Sequence, residues 1–338
     1  MKNFKVKKDL IKETFKSFND LNVLIIGDVM VDSYMWGRVN RISPEAPVPI
    51  VAIDSKERRL GGAANVALNI QAMGANPILC SVIGIDYEGQ IFLDLLKSQK
   101  LSQKGILKSR TRITTNKTRV IGNNHQILRV DEEVEEDITT SETDQLLQLI
   151  LFILQHDKID VIIFEDYNKG LITPKLIKSV VDMAKKRNIP TAVDPKKKNF
   201  MSYKGVTMFK PNLKELREGL KMDFDTENLK DLQKAVSSFR IKQKINTVLA
   251  TLSEKGVYTN SRSVKEVLPA HIRKIADVSG AGDTVISVAA LCLALDLHPI
   301  LTAALSNLAG GLVCEQIGVV PIDKQQLLEE ALDLPFVK

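Results

Sequence analysis

Aromatic side chains are scarce in this 338-residue chain: they make up 5% of it, and Trp36 is the only tryptophan. No platform of aromatic and basic residues is visible, so nucleic-acid binding is not expected. One-sided charge is lacking too, since 47 Lys and Arg stand against 41 Asp and Glu, a net of +6 spread widely. That balance suits small acidic substrates and points to no polyanion. Cys80, Cys292 and Cys314 lie far apart in apolar contexts with no CxxC pair, which reads as buried thiols in a reducing cytosol. Long apolar runs are absent: VISVAALCLALDL carries an acid and is too short to span a membrane. The basic start MKNFKVKKDLIKETFKSF lacks the apolar run of a signal peptide and reads as a short amphipathic helix. A cytoplasmic protein that enters no membrane is expected. There are no repeats, low-complexity tracts or long linkers, and a single domain over residues 1–338 follows.

What is present is a rhythm. NVLIIGD, PILCSVIG, DVIIFED, PTAVDP, VTMFKPN and NTVLATL read as strands, with helix-period segments between several of them. NVALNIQAMGA and EGQIFLDLLKSQ read as helices, and TPKLIKSVVDMAKKRN starts with Thr173 as N-cap and Pro174 at its first position. Ser141, three residues before Asp144, gives TSETDQLLQLILFILQ a start like a capping box. Alternating strands and helices predict an α/β fold of three layers, with a mostly parallel sheet covered on both faces. Two stretches break the rhythm. Residues 32–60 alternate polar and apolar residues and hold three prolines; residues 112–131 read as two strands around Gly122-Asn123-Asn124. Both predict a small β-lid.

The stretch VSGAGDTV at 278–285 carries the chemistry. Gly280 and Gly282 permit close approach to the main chain, and the first amides of the following helix make an anion site. A helix start that merely contains glycines explains the same letters. No GxGxxG and no Gly-Lys dipeptide occur, which excludes a dinucleotide fingerprint and a Walker loop. Asp283, in the first turn, is expected to be ionised through the helix dipole. Beside an anion site it can take the proton of an attacking hydroxyl, a task for which a weak base suffices in phosphoryl transfer.

Elsewhere, Asp28 and Asp32 follow the first strand, where acids face the ligand crevice of an α/β sheet and suit sugar hydroxyls. FEDYNKG and VDPKKKNF place Lys169 and Lys196 at the crevice edge, as cations for a substrate phosphate, although a lysine run is also ordinary solvated surface.

DVSGAGDT, together with LGGAANVALN over 200 residues earlier, resembles the two signatures of the ribokinase-like (PfkB) carbohydrate kinases. The resemblance implies that Asp283 is the catalytic base and that Gly280, Ala281 and Gly282 form the anion hole. It implies sugar contacts for Asp32, Gly61, Gly62 and Asn65, with Asp28 a further candidate. KPNLKE resembles the family's N-x-x-E motif, which ties Asn212 and Glu215 to Mg²⁺, through its waters, and to the phosphates of ATP. TLSEKG and SNLAGGLVCEQIG resemble the nucleotide side, which brings in Thr251, Gly256 and Asn307. Activation by a monovalent cation is left open. From about residue 10 to about residue 325, the runs GDVMVDSYMWGRVNRISPEAPVPIV, TTNKTRVIGNNHQILRVD and DYNKG resemble one branch, the heptose-7-phosphate kinases. Glu165, where smaller residues are usual, and His125 in the hairpin depart from that pattern. The implied reaction phosphorylates C1 of D-glycero-β-D-manno-heptose 7-phosphate, on the way to ADP-heptose and lipopolysaccharide. A stand-alone kinase without a nucleotidyltransferase domain, dimeric through the lid strands, is expected. A kinase of ribose, fructose phosphate or a nucleoside, and a non-catalytic sugar or nucleotide sensor, are the competing readings.

Overall fold

The computed structural model describes residues 4–224, 229–271, 273–316 and 318–338; residues 1–3 of the basic N-terminal run and Ile317 in the run at 306–318 lie outside it. In chain order come α1 (Lys8–Ser17), β1 (Asn22–Gly27), β2 (Val29–Ile42), β3 (Pro49–Gly62), α2 (Ala63–Ala72), β4 (Asn76–Gly84), α3 (Tyr87–Ser98) and β5 (Ile106–Ser109). Next are β6 (Asn116–Gly122), β7 (His125–Glu132), α4 (Thr140–His156), β8 (Val161–Glu165), α5 (Pro174–Lys186), β9 (Thr191–Asp194), β10 (Met208–Phe209) and α6 (Leu213–Leu220). The last are α7 (Leu229–Lys242), β11 (Thr247–Thr251), β12 (Val257–Asn260), β13 (Lys265–Leu268), α8 (Ala281–Ala294), α9 (Pro299–Val313) and α10 (Lys324–Ala331).

The main sheet has the order β13-β12-β11-β10-β9-β8-β1-β4-β5. Every neighbouring pair is parallel except those made by β12, which runs against β11 and β13. Its central strands are apolar on both faces because helices cover both. Val23 and Ile25 of β1 join Val161 and Ile163 of β8 in a core with α2, α8 and α9. The intervening Leu24, Ile26, Ile162 and Phe164 join a second core with α4, α5 and α7. This is the three-layer fold read from the sequence. The thiols of Cys80 and Cys292 are buried in these cores and Cys314 is half-buried, all unpaired, and burial pushes Cys80 up to about 12. Among the described residues no helix is long and apolar enough to cross a membrane.

A second sheet, β3-β2-β6-β7, forms the lid from the two stretches that broke the rhythm. Its hairpin turns on Asn123 and Asn124, at φ 51° and 63°, the left-handed pair that a two-residue turn needs. One local reading is corrected. The capping box of α4 is Thr139 with Glu142, and not Ser141 with Asp144. Glu142 wins because it also takes hydrogen bonds from Ser109 and Thr111, which fixes the helix start two residues earlier.

Candidate active site

Because β1, β8, β9 and β10 are parallel neighbours, their C-terminal ends line one edge, with Gly27 opposite Glu165 and Glu165 opposite Asp194. Asp28, Asp166 and Lys210 follow directly on these strands. The N-terminus of α8 meets that edge, the crevice where α/β sheets take ligands. Gly280 starts the helix at φ +79°, a conformation that side-chain-bearing residues resist, and no side chain caps the helix. An anion can therefore reach its first amides.

Asp283 is 5% exposed. Asn65 Nδ2 donates to its Oδ2 at 2.7 Å, and the Tyr167 hydroxyl donates to its Oδ1 at 2.7 Å. Asn65 is thus no helix-surface amide; it is 1% exposed and aimed at the acid. Burial pushes Asp283 up to about 6 against the pull of these two hydrogen bonds, with Asp194 adding to the rise and Lys210 opposing it. The helix dipole expected to favour the anion is outweighed by burial, yet the anion still predominates at pH 7. A carboxylate in that range is well matched to taking a proton from a hydroxyl.

Around it sits a buried ionic cluster. Lys210 Nζ lies 2.8 Å from Asp194 Oδ2, and both side chains are nearly inaccessible. Burial alone would strip the Lys210 proton, but Asp194 and Glu215 hold it above the usual lysine range. Lys196 binds Glu215 and lies 5.6 Å from the Tyr167 ring centroid. Burial, then the charge of Asp194, raises Glu215, while Lys196 and Lys210 oppose. Glu165, 1% exposed, is pushed well above the carboxylate range by burial and by the charges of Asp194 and Asp283. Sequence reasoning did not assign Tyr167, Lys210 or Glu165 to the site. Lys210 carried one usable signal, a lysine directly after a strand and before Pro211-Asn212.

Asp28 is placed differently from a free sugar-binding acid. Its Oδ2 accepts from the backbone N–H of Tyr167 and Lys169, at 2.9 and 3.1 Å, and its Oδ1 from Leu171 at 3.0 Å. It folds the 166–171 loop and so positions Tyr167. Asp32, on β2, accepts from Arg119 Nη1 at 2.5 Å, and a Cβ on Gly61 would run into its carboxylate. Gly62 closes β3 at φ +61°. Lys169 reaches Glu133 and Glu135 at 2.6 and 2.8 Å, and Lys117 also binds Glu133, at 2.8 Å. Lys117 and Arg119 share one face of β6, a period-two signal that the sequence displayed.

Asn212 caps α6 by accepting from the Glu215 N–H at 2.8 Å, while Glu215 accepts from the Asn212 N–H at 2.8 Å. The capping reading is thus present, but Glu215 is buried and not the exposed acid that reading would pair with it. Thr251 ends β11 and bridges to Asn212, Gly256 precedes β12, and Asn307 on α9 donates to the Pro269 carbonyl at 2.8 Å. These three lie on the β11–β13 side of the sheet, apart from the Asp283 cluster. The helix carrying Asn307 ends at Val313, before the end of the run quoted for it.

Comparison with known proteins gives a consistent result. The model of the pfkB family carbohydrate kinases matches residues 20–325. The bifunctional protein HldE of Koribacter versatilis is 37% identical over 320 residues, 95% of this chain and 65% of that protein. HldE of Campylobacter jejuni RM1221 is 39% identical over 318 residues, 93% of this chain and 65% of that protein. The chain thus spans about two-thirds of the length of these relatives. Phosphofructokinase-2 from Escherichia coli, in complex with potassium, superposes with a TM-score of 0.76 at 18% identity, over 92% of this chain and 99% of that one. Arabidopsis thaliana ribokinase, complexed with ribose and ATP, gives 0.69 at 15% identity, over 91% and 99%. At such identities these two support the fold alone.

Proposed function

The chain belongs to the pfkB family of carbohydrate kinases, and from that premise we propose that it transfers the γ-phosphoryl group of ATP to C1 of D-glycero-β-D-manno-heptose 7-phosphate. It is a sugar kinase, a phosphotransferase with an alcohol acceptor. The observation that carries the mechanism is Asp283, buried at an uncapped helix start and held by two neutral donors. Asn65 and Tyr167 fix the carboxylate; Asp283 receives the proton of the attacking hydroxyl as the bond to phosphorus forms. The amides of Gly280, Ala281 and Gly282 face charge developing on the transferred group, and Lys196 and Lys210 add cations beside it. Lys196, seated on Glu215, suits the transferred phosphoryl; Lys169, Lys117 and Arg119 suit the phosphate that the acceptor already carries.

Mg²⁺ is the implied metal. The buried carboxylate of Glu215 offers the hard oxygen donors that such a cation takes, and Asn212 holds Glu215 in place. When bound with ATP, the ion offsets charge on the phosphates. Thr251, Gly256 and Asn307 border the nucleotide. Asp32, Gly61, Gly62 and Asn65 contact the sugar, with Asp28 supporting them from below. The HldE relatives favour the heptose acceptor and a product destined for ADP-heptose and lipopolysaccharide. The exposed Ile42, Ile53, Leu128 and Val130 of the lid favour pairing with a second copy through its strands.

The test is phosphorylation of synthetic heptose 7-phosphates with ATP, the product position being read by phosphorus NMR. Heptose 1,7-bisphosphate as the favoured product supports the reading. Faster turnover of ribose, fructose 6-phosphate or adenosine moves the acceptor elsewhere in the family.

A further inference from the structure

Glu165 has no part in the reaction outlined above, yet it ends β8 in the middle of the site. Its Oε2 is buried without a hydrogen-bond partner, and so is Oδ1 of Asp194 on the adjacent strand. Leaving a buried acceptor unsatisfied is costly, so two of them on adjacent strands mark a place shaped for a further group. One oxygen each from Glu165, Asp194 and Asp283 lies within 4.8 Å of the others. A triangle of that size closes with little movement on a single hard cation, whose ligand distances are about 2.0–2.6 Å.

The charge balance points the same way. Glu165, Asp194, Asp283 and Glu215 converge here against the ammonium groups of Lys196 and Lys210. The carboxyl groups outnumber the ammonium groups, an excess that a bound dication would offset. The ligands are all carboxylate oxygens, with no imidazole or thiolate, which selects Mg²⁺- or Mn²⁺-like ions over zinc or copper.

We infer that Glu165, Asp194 and Asp283 form a divalent-cation site of their own, separate from the Asn212–Glu215 pair that starts α6. Because Asp283 is one of its ligands, the ion and an acceptor hydroxyl exclude each other from that carboxylate. The site is assembled before any nucleotide binds, and it depends on Glu165.

The test uses the whole chain without nucleotide or sugar, titrated with Mn²⁺ alone while electron paramagnetic resonance follows the free ion. One bound ion per chain is expected. Glu165→Gln, close to isosteric, should weaken it at least about tenfold, and Glu165→Ser provides a second variant if the first folds poorly. Glu215→Gln should leave the ion in place. Absence of a bound ion in the unmodified protein overturns the inference, as does wild-type affinity in both Glu165 variants or loss only in Glu215→Gln. None of these readouts involves phosphoryl transfer, so they stand or fall apart from the proposed reaction.

Discussion

Asp283 and Asp32, both candidates for the active site, rest on unlike supports. Asp283 stands on α8, which packs against α2 and α9, and both its oxygens are held by neutral donors. Asp32 stands on β2 of the lid and is held by the guanidinium of Arg119. Neutral donors orient a carboxylate and leave its charge available to a proton. A guanidinium fixes direction and pairs the charge, which suits holding hydroxyls. The acids of the floor are largely buried, whereas the lid runs out to side chains as open as Ile42, at 60% exposure. On the proposed reaction, the contrast would place turnover on the floor and acceptor affinity on the lid.

The largest effect expected is on the floor. Asp283→Asn should lower kcat about 10²–10⁴-fold, measured by ATP consumption. In the unmodified enzyme, kcat/KM should fall as pH drops below about 6, where Asp283 takes up a proton. The stability sign follows from the same rise above the ordinary 3.8. A raised carboxyl favours the folded state most when protonated, so its contribution is full below pH about 4 and is lost as pH rises through about 6. Asp283→Asn should therefore melt above the unmodified protein at pH 7–8 and level with it near pH 4, by scanning calorimetry. A variant that melts lower at every pH would make Asp283 a structural acid and dissolve the contrast.

Next in size is Lys210→Met. It leaves Asp194 buried without its counter-charge, which costs about 3–5 kcal/mol in chemical denaturation. On the lid, Arg119→Met should raise KM for the acceptor about 10–100-fold, the worth of a hydrogen bond to a charged group, with kcat and KM for ATP little changed. A fall in kcat as deep as that of Asp283→Asn would show that the lid shares in the chemical step.

The same contrast explains what the sequence made legible. Gly280, Asp283 and Asn65 stand in two short runs whose glycines and helix starts announce themselves, and the lid hairpin did so through Asn123-Asn124. The strands β5, β12 and β13 went unread; β9 is as short, but Pro190 and Pro195 mark its two ends. The partners of each acid were hidden for another reason. Tyr167 and Asp283 are 116 residues apart, and Arg119 and Asp32 are 87 apart, so only the fold brings them together. Asp28 was legible as an acid at a strand end, but its three loop amides were not, since a backbone N–H leaves no mark in a sequence. The rise of Asp283 left no mark in the sequence, because the helix dipole is local and burial is a property of the whole site.

The smallest effect sharpens the comparison most. Arg38 and Asp54 make a two-pronged pair between β2 and β3, Nε to Oδ2 and Nη2 to Oδ1, both at 3.0 Å. Its geometry is better than that of Arg119 with Asp32, and it lies on the same sheet. The Arg38 side chain is 67% exposed, however, against 19% for Arg119. Water and salt compete for both ends of an open pair, so Arg38→Ala should shift the melting temperature by no more than about one degree. It should leave every kinetic constant unchanged, because no part of the crevice rests on it. Arg38→Ala and Arg119→Met together separate two explanations of the lid. If geometry governs, the two variants should behave alike; if burial governs, as the site implies, only Arg119→Met changes acceptor binding. A drop of several degrees in Arg38→Ala would show instead that the lid is held by its rim.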